Sequence, residues 1–551
     1  MDNDRTLVGR ERLGPLATLA LFAVPTLFLG YFFVYPLVSI TVRGLTIDGS
    51  FSLGVIWDVM SNPGLQGVAA FTLWQAILST LLTLTLGLPL AWVFARFTFP
   101  GKRALSAATL VPFVLPTLVV GTAFLNLAGP RGILPFDLTG SLAIILIAHS
   151  FYNVALVVRG VGAYWERIDP RIEDAARTLG ASPWRTMRSV TLPLLAPSIL
   201  STSALVFLFS FTSFGVVLLL GDLSHTTIEV EIWRQATAYF RLDIASTLAV
   251  LQIVGIGVVL MIHGRFERRT RVTFRHRIAP PHRPRGARQR FAVYSILTVG
   301  CLYVGVPLSV LIVRSLSQPS GGFGLENYQN LVSLPQLSAA FVNPIDAIIN
   351  SLWFALIAVL LAVTIGALAS SAIAYSKRRV SSGFDNFIML PLATSAVTIG
   401  FGFLVALHWP IDIRSSLILI PIAHALVGIP FVVRSINPTM GTIQNELREA
   451  AATLGADAFR TWTTIDARLI GRAALVGAAF AFAISMGEFG ATTFIARPAT
   501  PTIPIAIFRY LGRPGAAPFG AALALSVVLM VVVAIATMVI DWVGQRRAPS
   551  A

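Results

Sequence analysis

Residues 169–193 read DPRIEDAARTLGASPWRTMRSVTLP, and this stretch decides the organisation of the chain because it occurs twice. The second copy, residues 445–470, reads NELREAAATLGADAFRTWTTIDARLI. Aligning Gly180 with Gly455 sets an offset of 455 − 180 = 275, and the same offset without a gap pairs residues far outside the stretch. These further pairs are His149 with His424, Arg159 with Arg434, Phe214–Gly215 with Phe489–Gly490, and Thr227–Ile228 with Thr502–Ile503. The chain is therefore a duplication, and each half carries one such polar loop.

Local chemistry predicts a helix–turn–helix in each copy. In the first copy Asp169 is an N-cap followed by proline at the first helical position, and Gly180 can take the left-handed conformation that ends a helix. We therefore expect a helix over about residues 170–179. Ser182 should cap a second helix, and Asp457 stands at the corresponding position of the second copy.

Small residues lie on the predicted helix of each loop, Ala175–Ala176 in the first copy and Ala450–Ala451 in the second. Such a face is too small to fill a core of its own, but it suits close docking against another protein. An ordinary polar loop between membrane helices is the alternative. Two such loops at an unbroken offset favour docking.

Composition places the chain in a membrane. Hydrophobic residues make up 55% and charged residues 12% of the sequence, whereas soluble domains carry about 25% charged residues. The mean hydropathy is +0.78. The single cysteine, Cys301, excludes an intrachain disulfide and a cysteine-based metal site.

A membrane-spanning helix needs about 20 apolar residues, and the sequence offers twelve such segments. They lie at about 14–40, 70–95, 105–128, 139–159, 196–220 and 244–263 in the first half, and at about 291–314, 348–375, 385–408, 415–434, 472–495 and 519–541 in the second. The predicted fold is all-α and integral to the membrane. Six spans per half make the halves parallel repeats that enter the membrane the same way round.

Basic residues predict the orientation. They follow spans two, four and eight, at Arg96, Lys102, Arg103, Arg159, Arg167, Arg171, Arg177, Arg185, Arg188, Lys377, Arg378 and Arg379. Because cytoplasmic loops are enriched in Lys and Arg, these loops, both copies of the repeated stretch and both termini are expected on the cytoplasmic side.

A basic, proline-rich run at residues 264–290 separates the halves. It holds almost nothing that could form a core, so we predict a flexible cytoplasmic linker between six-helix domains at 1–263 and 291–551. Anionic lipid headgroups would attract the linker. A basic run beside a membrane follows from topology alone, so no nucleic-acid partner is expected.

Catalytic signatures are missing from the sequence. The phosphate-binding pattern GxxxxGK[ST] does not occur, and neither do HExxH, GxSxG or a metal-spaced His/Cys set. We therefore predict neither catalytic nor metal residues and no enzyme activity. If the chain moves solute uphill, the energy must come from a docked partner or from an ion gradient.

Glu488 is the main ionisable residue within a predicted span, and Ser213 stands at its position in the first half. A charge in a membrane usually lines an aqueous path or pairs with a partner, so both a path-lining role and a buried structural hydrogen bond are open. Gly215 and Gly490 should allow close helix approach or a local break that exposes backbone groups to the path. For the paired histidines, His149 and His424, a shared interhelical hydrogen bond is expected in preference to a substrate or proton role.

The repeated stretch resembles a known family. Asp174-Ala175-Ala176-x-x-Leu179-Gly180 and Glu449-Ala450-Ala451-x-x-Leu454-Gly455 are similar to the EAA motif of binding-protein-dependent ATP-binding-cassette (ABC) importer permeases. The resemblance implies the type I ABC importer permease fold, fused into one chain.

Partners follow from this resemblance. In that family the motif forms a coupling helix that inserts into a groove of a cytoplasmic ATPase, so Asp174 and Glu449 would meet basic groups there, while Gly180 and Gly455 would shape the turn. The implied assembly has two ATPase copies, which bind the ATP and Mg, and an extracytoplasmic solute-binding protein. The permease itself would hold no cofactor and would lie in a bacterial-type inner membrane. The second copy ends in Ala467–Arg468 where the family has Leu-Pro, so its exit from the loop is expected to differ.

Substrate identity stays open between related importers. Residues 210–236 and 484–496 look more like thiamine permeases than ferric-iron permeases, and Glu488 would suit a cationic solute. Ferric iron and another small solute are the alternatives within the class, since similar segments occur in permeases for molybdate and sulfate. An ion-coupled secondary transporter is the rival from another class, but it would not need paired docking helices.

Overall fold

The computed structural model describes residues 15–47, 50–270, 281–318, 321–333, 343–376, 378–442 and 445–545. Over these residues the chain is built from helices, which confirms the all-α prediction, and one short hairpin of β1 (Thr46–Ile47) and β2 (Ser50–Phe51). The helices are α1 (Pro15–Leu29), α2 (Tyr35–Gly44), α3 (Gly54–Ser61), α4 (Pro63–Arg96), α5 (Lys102–Ala108), α6 (Val111–Val114), α7 (Thr117–Ala128), α8 (Leu142–Trp165), α9 (Pro170–Thr178), α10 (Pro183–Thr186), α11 (Leu192–Phe211), α12 (Gly215–Leu220), α13 (Ile228–Thr237), α14 (Leu242–Thr270), α15 (Gly286–Leu316), α16 (Glu326–Ser333), α17 (Pro344–Tyr375), α18 (Arg378–Met389), α19 (Ala396–Ala406), α20 (Leu419–Thr442), α21 (Asn445–Thr453), α22 (Ala458–Thr461), α23 (Ala467–Gly487), α24 (Thr492–Ile495), α25 (Ile503–Leu511) and α26 (Ala516–Gln545).

Ten helical segments among the described residues are long and apolar enough to cross a membrane, and two bent pairs raise the total to twelve. All twelve predicted spans coincide with these segments. The bent pairs are the third and ninth spans, with angles of 99° between α6 and α7 and 91° between α18 and α19. Pro116 lies at the first bend, whereas its repeat mate Pro391 lies within the 3-10 helix Leu390–Ala393, just before the second bend. Proline lacks the amide that a continuous helix needs, which accounts for the turn at Pro116.

The described helices form two compact units. The first unit comprises Arg43–Leu331 and Ile507–Met530, and the second comprises Met1–Val42, Val332–Ala506 and Val531–Ala551. In the first unit α15 packs on α4 and α7, and in the second unit α1 packs on α17. The opening helix of each half therefore packs in the unit that contains most of the other half. The boundaries 1–263, 264–290 and 291–551 stay a prediction about the repeat.

Close helix crossings repeat in the two units. A Cβ placed on Gly87 of α4 would lie 2.6 Å from the Cβ of Val157 on α8, and one placed on Gly366 of α17 would lie 2.7 Å from Cγ1 of Val432 on α20. Val157 and Val432 are repeat mates at the offset of 275. Such close backbone approach at small residues is typical of helix packing in membranes.

The flanking helices extend into both ends of the predicted linker 264–290. α14 continues to Thr270 and α15 begins at Gly286. Between them the amide of His282 donates to the carbonyl of Arg96 at 3.2 Å, and the amide of Thr98 donates to the carbonyl of His282 at 3.0 Å. The flexibility of the linker stays a prediction. Residues 271–280 lie outside the described part of the chain.

Candidate functional site

The first repeated loop forms the predicted helix–turn–helix. The side chain of Asp169 accepts the amide of Arg171 at 3.0 Å and so caps α9. Gly180 follows in the left-handed region with φ +84°, which glycine adopts without steric cost. Ser182 then accepts the amide of Arg185 at 3.3 Å and caps α10.

The second loop repeats this geometry. α21 ends at Thr453, and Gly455 has φ +81°. Oδ1 of Asp457 accepts the amide of Arg460 at 2.7 Å, as Ser182 does for Arg185 in the first loop. The predicted equivalence of Ser182 and Asp457 is confirmed.

Both loops present the same surface outward within their own units. Asp174, Ala175, Glu449 and Ala450 are exposed, while Ala176 and Ala451 are half-buried. The residues before the turn glycines are the most exposed apolar side chains of the loops: Leu179 is 89% exposed and Leu454 is 88% exposed. An exposed leucine at one position of both copies indicates a contact surface, since burial of such a side chain stabilises by about 1.5–3 kcal/mol. In the sequence, these leucines could have been found from their shared position directly before the turn glycine of each motif.

A π-helical turn lies near the end of each loop, at Met187–Thr191 and Trp462–Asp466, which correspond at the offset of 275. Single π-helical turns inside helices are rare and often mark functional positions. Local propensity did not reveal them in the sequence. Both turns lead directly into a long helix, α11 or α23, so the expected difference at Ala467–Arg468 was wrong for the backbone. Proline is compatible with a helix start but is not required there.

The fifth and eleventh predicted spans are broken helices. In the first unit α11 ends at Phe211 and α12 starts at Gly215, so the predicted local break is found. His149 of α8 bridges this region: Nδ1 lies 3.0 Å from Oγ of Ser79 on α4, and Nε2 lies 2.8 Å from Oγ of Ser213 in the break. The predicted interhelical hydrogen bond is confirmed for His149.

The second unit has the same break with different chemistry. α23 ends at Gly487, and α24 starts at Thr492. His424 lies 2.7 Å through Nδ1 from Oγ of Ser485 and 2.8 Å through Nε2 from Oγ1 of Thr492, which confirms the second predicted histidine bond. A Cβ on Gly490 would lie 3.2 Å from the backbone amide of Val397, so close approach and a break occur together.

Glu488 lies inside the second break and is only 7% exposed. Its carboxylate accepts the amides of Ala491 at 2.9 Å and Thr492 at 3.0 Å, and the hydroxyl of Thr492 at 2.6 Å. Oε2 also lies 3.5 Å from Nε2 of His424. These contacts give the carboxylate a structural role as the cap of α24. A path-lining role stays a prediction.

Hydroxyl groups also cap α13 and α25, the second helix after each break. The amide of Ile228 at the start of α13 donates to Oγ1 of Thr72 on α4 at 2.9 Å. The amide of Ile503 at the start of α25 donates to Oγ of Ser351 on α17 at 2.7 Å. Ile228 and Ile503 are repeat mates, whereas the two hydroxyls come from positions one helical turn apart, since Ser351 corresponds to Ala76. The contact is therefore kept although the residue that makes it has moved.

Comparison with known proteins identifies the family. The sequence pattern of the family described as "Binding-protein-dependent transport system inner membrane component" matches residues 84–272 and 358–549, once in each half. The chain belongs to this family. Its helices therefore have the type I ABC importer permease fold, and the chain is a multi-pass inner-membrane permease.

Individual relatives cover different shares of the permease. It is 29% identical over 461 residues to the thiamine transport system permease protein of Brucella abortus (strain 2308), covering 81% of this chain and 82% of the relative. It is 31% identical over 228 residues to the sulfate transport system permease protein of Escherichia coli (strain K12), covering 40% of this chain and 80% of the relative. A crystal structure of a bacterial alginate ABC transporter in complex with a periplasmic protein matches 46% of this chain and 93% of that chain, at 17% identity and a TM-score of 0.38.

Proposed function

We propose that this permease imports thiamine or a thiamine phosphate, using two copies of a separate cytoplasmic ATPase that bind the ATP and Mg. An extracytoplasmic binding protein delivers the solute. The observation that carries the ATPase part of this proposal is the pair of loops with matched exposed leucines, Leu179 and Leu454. A secondary transporter has no use for two such docking surfaces.

Each loop supplies an apolar contact beside an acidic one. Asp174 and Glu449 are exposed next to alanines that leave room for a partner's side chains. An exposed carboxylate attracts a basic groove and orients the encounter, while burial of the leucine and alanine face supplies most of the affinity. The proposed coupling residues are Asp174, Ala175, Ala176, Gly180, Glu449, Ala450, Ala451 and Gly455.

Similarity over both halves of the chain supports thiamine. The thiamine permease of Brucella abortus matches 81% of this chain and 82% of its own length, whereas the sulfate permease, a shorter protein, matches 40% of this chain and 80% of its own length. We place the translocation path beside the helix breaks, at Ser213, Gly215, Glu488 and Gly490. Broken helices at membrane depth are tolerated where the freed backbone groups line a cavity or are buried in protein.

Charge reversal in the loops tests the coupling. Asp174→Arg and Glu449→Arg should leave the permease inserted in the membrane but reduce ATP-dependent uptake of labelled thiamine at least tenfold, because each places a positive charge against a basic groove. Arg414→Gln is a matched control, since it changes one exposed charge outside both loops. Normal uptake by either loop variant would remove that loop as a docking site.

Crosslinking tests the partner directly. A photoreactive amino acid in place of Leu179 or Leu454 should crosslink to a subunit that hydrolyses ATP. The same substitution at Leu223, which is 78% exposed in the first unit, should not crosslink to that subunit. A crosslink from Leu223 alone would contradict the docking assignment.

Uptake measurements separate the solutes. Cells that lack the permease should lose most high-affinity uptake of labelled thiamine and keep uptake of ferric iron and sulfate. Unchanged thiamine uptake would exclude the proposed substrate while leaving the ATPase docking intact. Collapse of the proton gradient at constant ATP should not stop uptake, and if it did, ion coupling would replace the proposed energy source.

A further inference from the structure

A polar cluster connects α9, the docking helix of the first repeated loop, to the rest of its unit. Nη2 of Arg96, the last residue of α4, lies 2.8 Å from Oε1 of Glu173 on α9. The Arg96 side chain is 12% exposed and the Glu173 side chain 15% exposed. An ion pair of such low exposure is screened little by water, and its charge-assisted hydrogen bond is stronger than a neutral one.

The same carboxylate oxygen joins a third element. Oγ1 of Thr191 donates to Oε1 of Glu173 at 3.0 Å. Thr191 is 1% exposed and closes the π-helical turn that leads into α11. Arg96 also donates through Nη1 to the carbonyl of Ile168 at 3.2 Å, just before the N-cap of α9. One oxygen therefore connects the ends of α4 and α11 to the docking helix.

These bonds matter because α9 has little other anchorage. None of its side chains is fully buried, so apolar packing holds it only weakly to its unit. The neighbouring carboxylate of Asp174 has a different environment, with 68% exposure and a distance of 3.7 Å to Arg177. Glu173 faces inward and Asp174 faces outward, so adjacent acidic residues serve opposite sides of the helix.

The second half does not duplicate this ion pair. Ser371 stands at the position of Arg96 and Arg448 at the position of Glu173. A serine at the first position is too short and carries no charge to reproduce the contact. The arrangement is thus specific to the first unit, although the loop backbones match.

We propose that Arg96, Glu173 and Thr191 form a transmission clamp, which makes α4 and α11 follow α9 when a docked partner moves it. This inference rests on the proposed function, since it needs an ATPase on the loop. Apolar contacts can slide with little cost, whereas directional hydrogen bonds between charged groups resist displacement. These are positioning residues, and they contact no solute.

The test uses the complete permease with its ATPase and reports movement without any transported solute. Cys301, the single cysteine, is first replaced by serine. Cysteines are then introduced at Leu200 on α11 and Leu475 on α23 and carry the spin labels. These positions are repeat mates and are 43% and 50% exposed. The distance between the two labels is measured before and after trapping with ATP and vanadate. Its change reports how much of the ATPase movement is passed on to α11 and α23.

Arg96→Gln should keep the ATPase bound and hydrolysing within twofold of the parent protein, but reduce the distance change by at least half. Thr191→Val, which preserves side-chain shape, should reduce it less. Reversing the charges in the double variant Arg96→Glu with Glu173→Arg should restore more of the change than either single variant. Arg414→Gln, which breaks an exposed ion pair elsewhere, should match the parent protein.

An unchanged distance shift in both Arg96→Gln and Thr191→Val would overturn the clamp. Loss of the ATPase from Arg96→Gln would also overturn it, because the ion pair would then shape the docking surface instead of transmitting motion. If Arg96→Gln fails to insert, Thr191→Val and the double variant decide between these outcomes. A parent protein that binds no ATPase would defeat the proposed function itself, which is a separate result.

Discussion

The two helix breaks contrast most clearly in what fills the same place. In the first unit His149 binds Ser213, and in the second unit His424 binds Thr492 while Glu488 occupies the position of Ser213. The histidine bridge is common to both. Only the second break contains a carboxylate that accepts two amides and a hydroxyl.

This difference shows how a duplicated scaffold can change without losing its shape. The buried amides at the start of α24 need acceptors, because an unpaired buried donor costs about 1–3 kcal/mol. Glu488 supplies them from within the break. Its presence in a membrane span therefore has a structural cause, independent of any contact with solute.

Substitution of the two bridging histidines should change the free energy of unfolding most. His149→Ala and His424→Ala each lose two hydrogen bonds and open a cavity, so each should lower the free energy of unfolding by about 2–4 kcal/mol. His424→Ala should cost more, since its ring also lies 3.5 Å from the Glu488 carboxylate. Chemical unfolding in detergent measures both values. Equal losses would mean that the extra contact contributes nothing.

Substitution of Glu488 and Ser213, which occupy the same position in the two breaks, should have the next largest effect on the free energy of unfolding. Glu488→Gln replaces a charged acceptor of three hydrogen bonds and should cost about 2 kcal/mol, whereas Ser213→Ala removes only neutral hydrogen bonding, including the bond to His149, and should cost about 1 kcal/mol. The same unfolding measurement, with thiamine uptake alongside, separates stability from transport. A Glu488→Gln variant of normal stability and no uptake would favour the path role over the capping role.

The hydroxyl caps should be closer to equal. Thr72→Val and Ser351→Ala each leave one helix-terminal amide without its acceptor, at α13 and α25, and each should cost about 1 kcal/mol. Thr72 also donates to the carbonyl of Val68 at 2.7 Å, but that carbonyl already lies within α4. Similar losses would show that the hydroxyl cap stabilises the protein equally from the Thr72 position and from the Ser351 position. A loss in one variant only would identify the unit that depends on it.

The smallest effect is expected in a surface turn that also repeats. Asp137 accepts the amide and hydroxyl of Thr139, while Asp412 accepts the amide and guanidinium of Arg414, and the two turns correspond at the offset of 275. The hydrogen bond from the Arg414 side chain lowers the pKa of Asp412 to about 2. A depressed folded-state pKa stabilises the protein above the unfolded pKa, and the benefit disappears as the pH falls from about 4 to about 2.

Arg414→Thr converts the second turn to the residue pair of the first. It should slightly lower the unfolding temperature at pH 5, and the difference from the parent protein should shrink toward pH 2 and vanish below it. Unfolding scans in detergent across this range check the sign. A difference that grows as the pH falls would contradict the role of Arg414.

Much of the fold could be predicted from the sequence, because it depends on periodic and local features. Apolar stretches of membrane length predicted all twelve spans, and the helix–turn–helix followed from Asp169, Gly180 and their repeat mates. Hydrogen bonds of His149 and His424 were predicted from their shared position in the repeat. The 99° and 91° bends were not, because hydropathy does not distinguish a straight span from a bent one.

The sequence by itself determined the duplication, the membrane class and the two exposed loops, since these depend on composition and on residues close together in the chain. Only the tertiary structure decided that Glu488 caps a helix, that Thr72 and Ser351 accept amides from distant helices, and that Glu173 binds both Arg96 and Thr191. Those contacts join residues 18 to 156 positions apart, or depend on where a helix breaks. Their energy exists only once packing has brought the donor and the acceptor together.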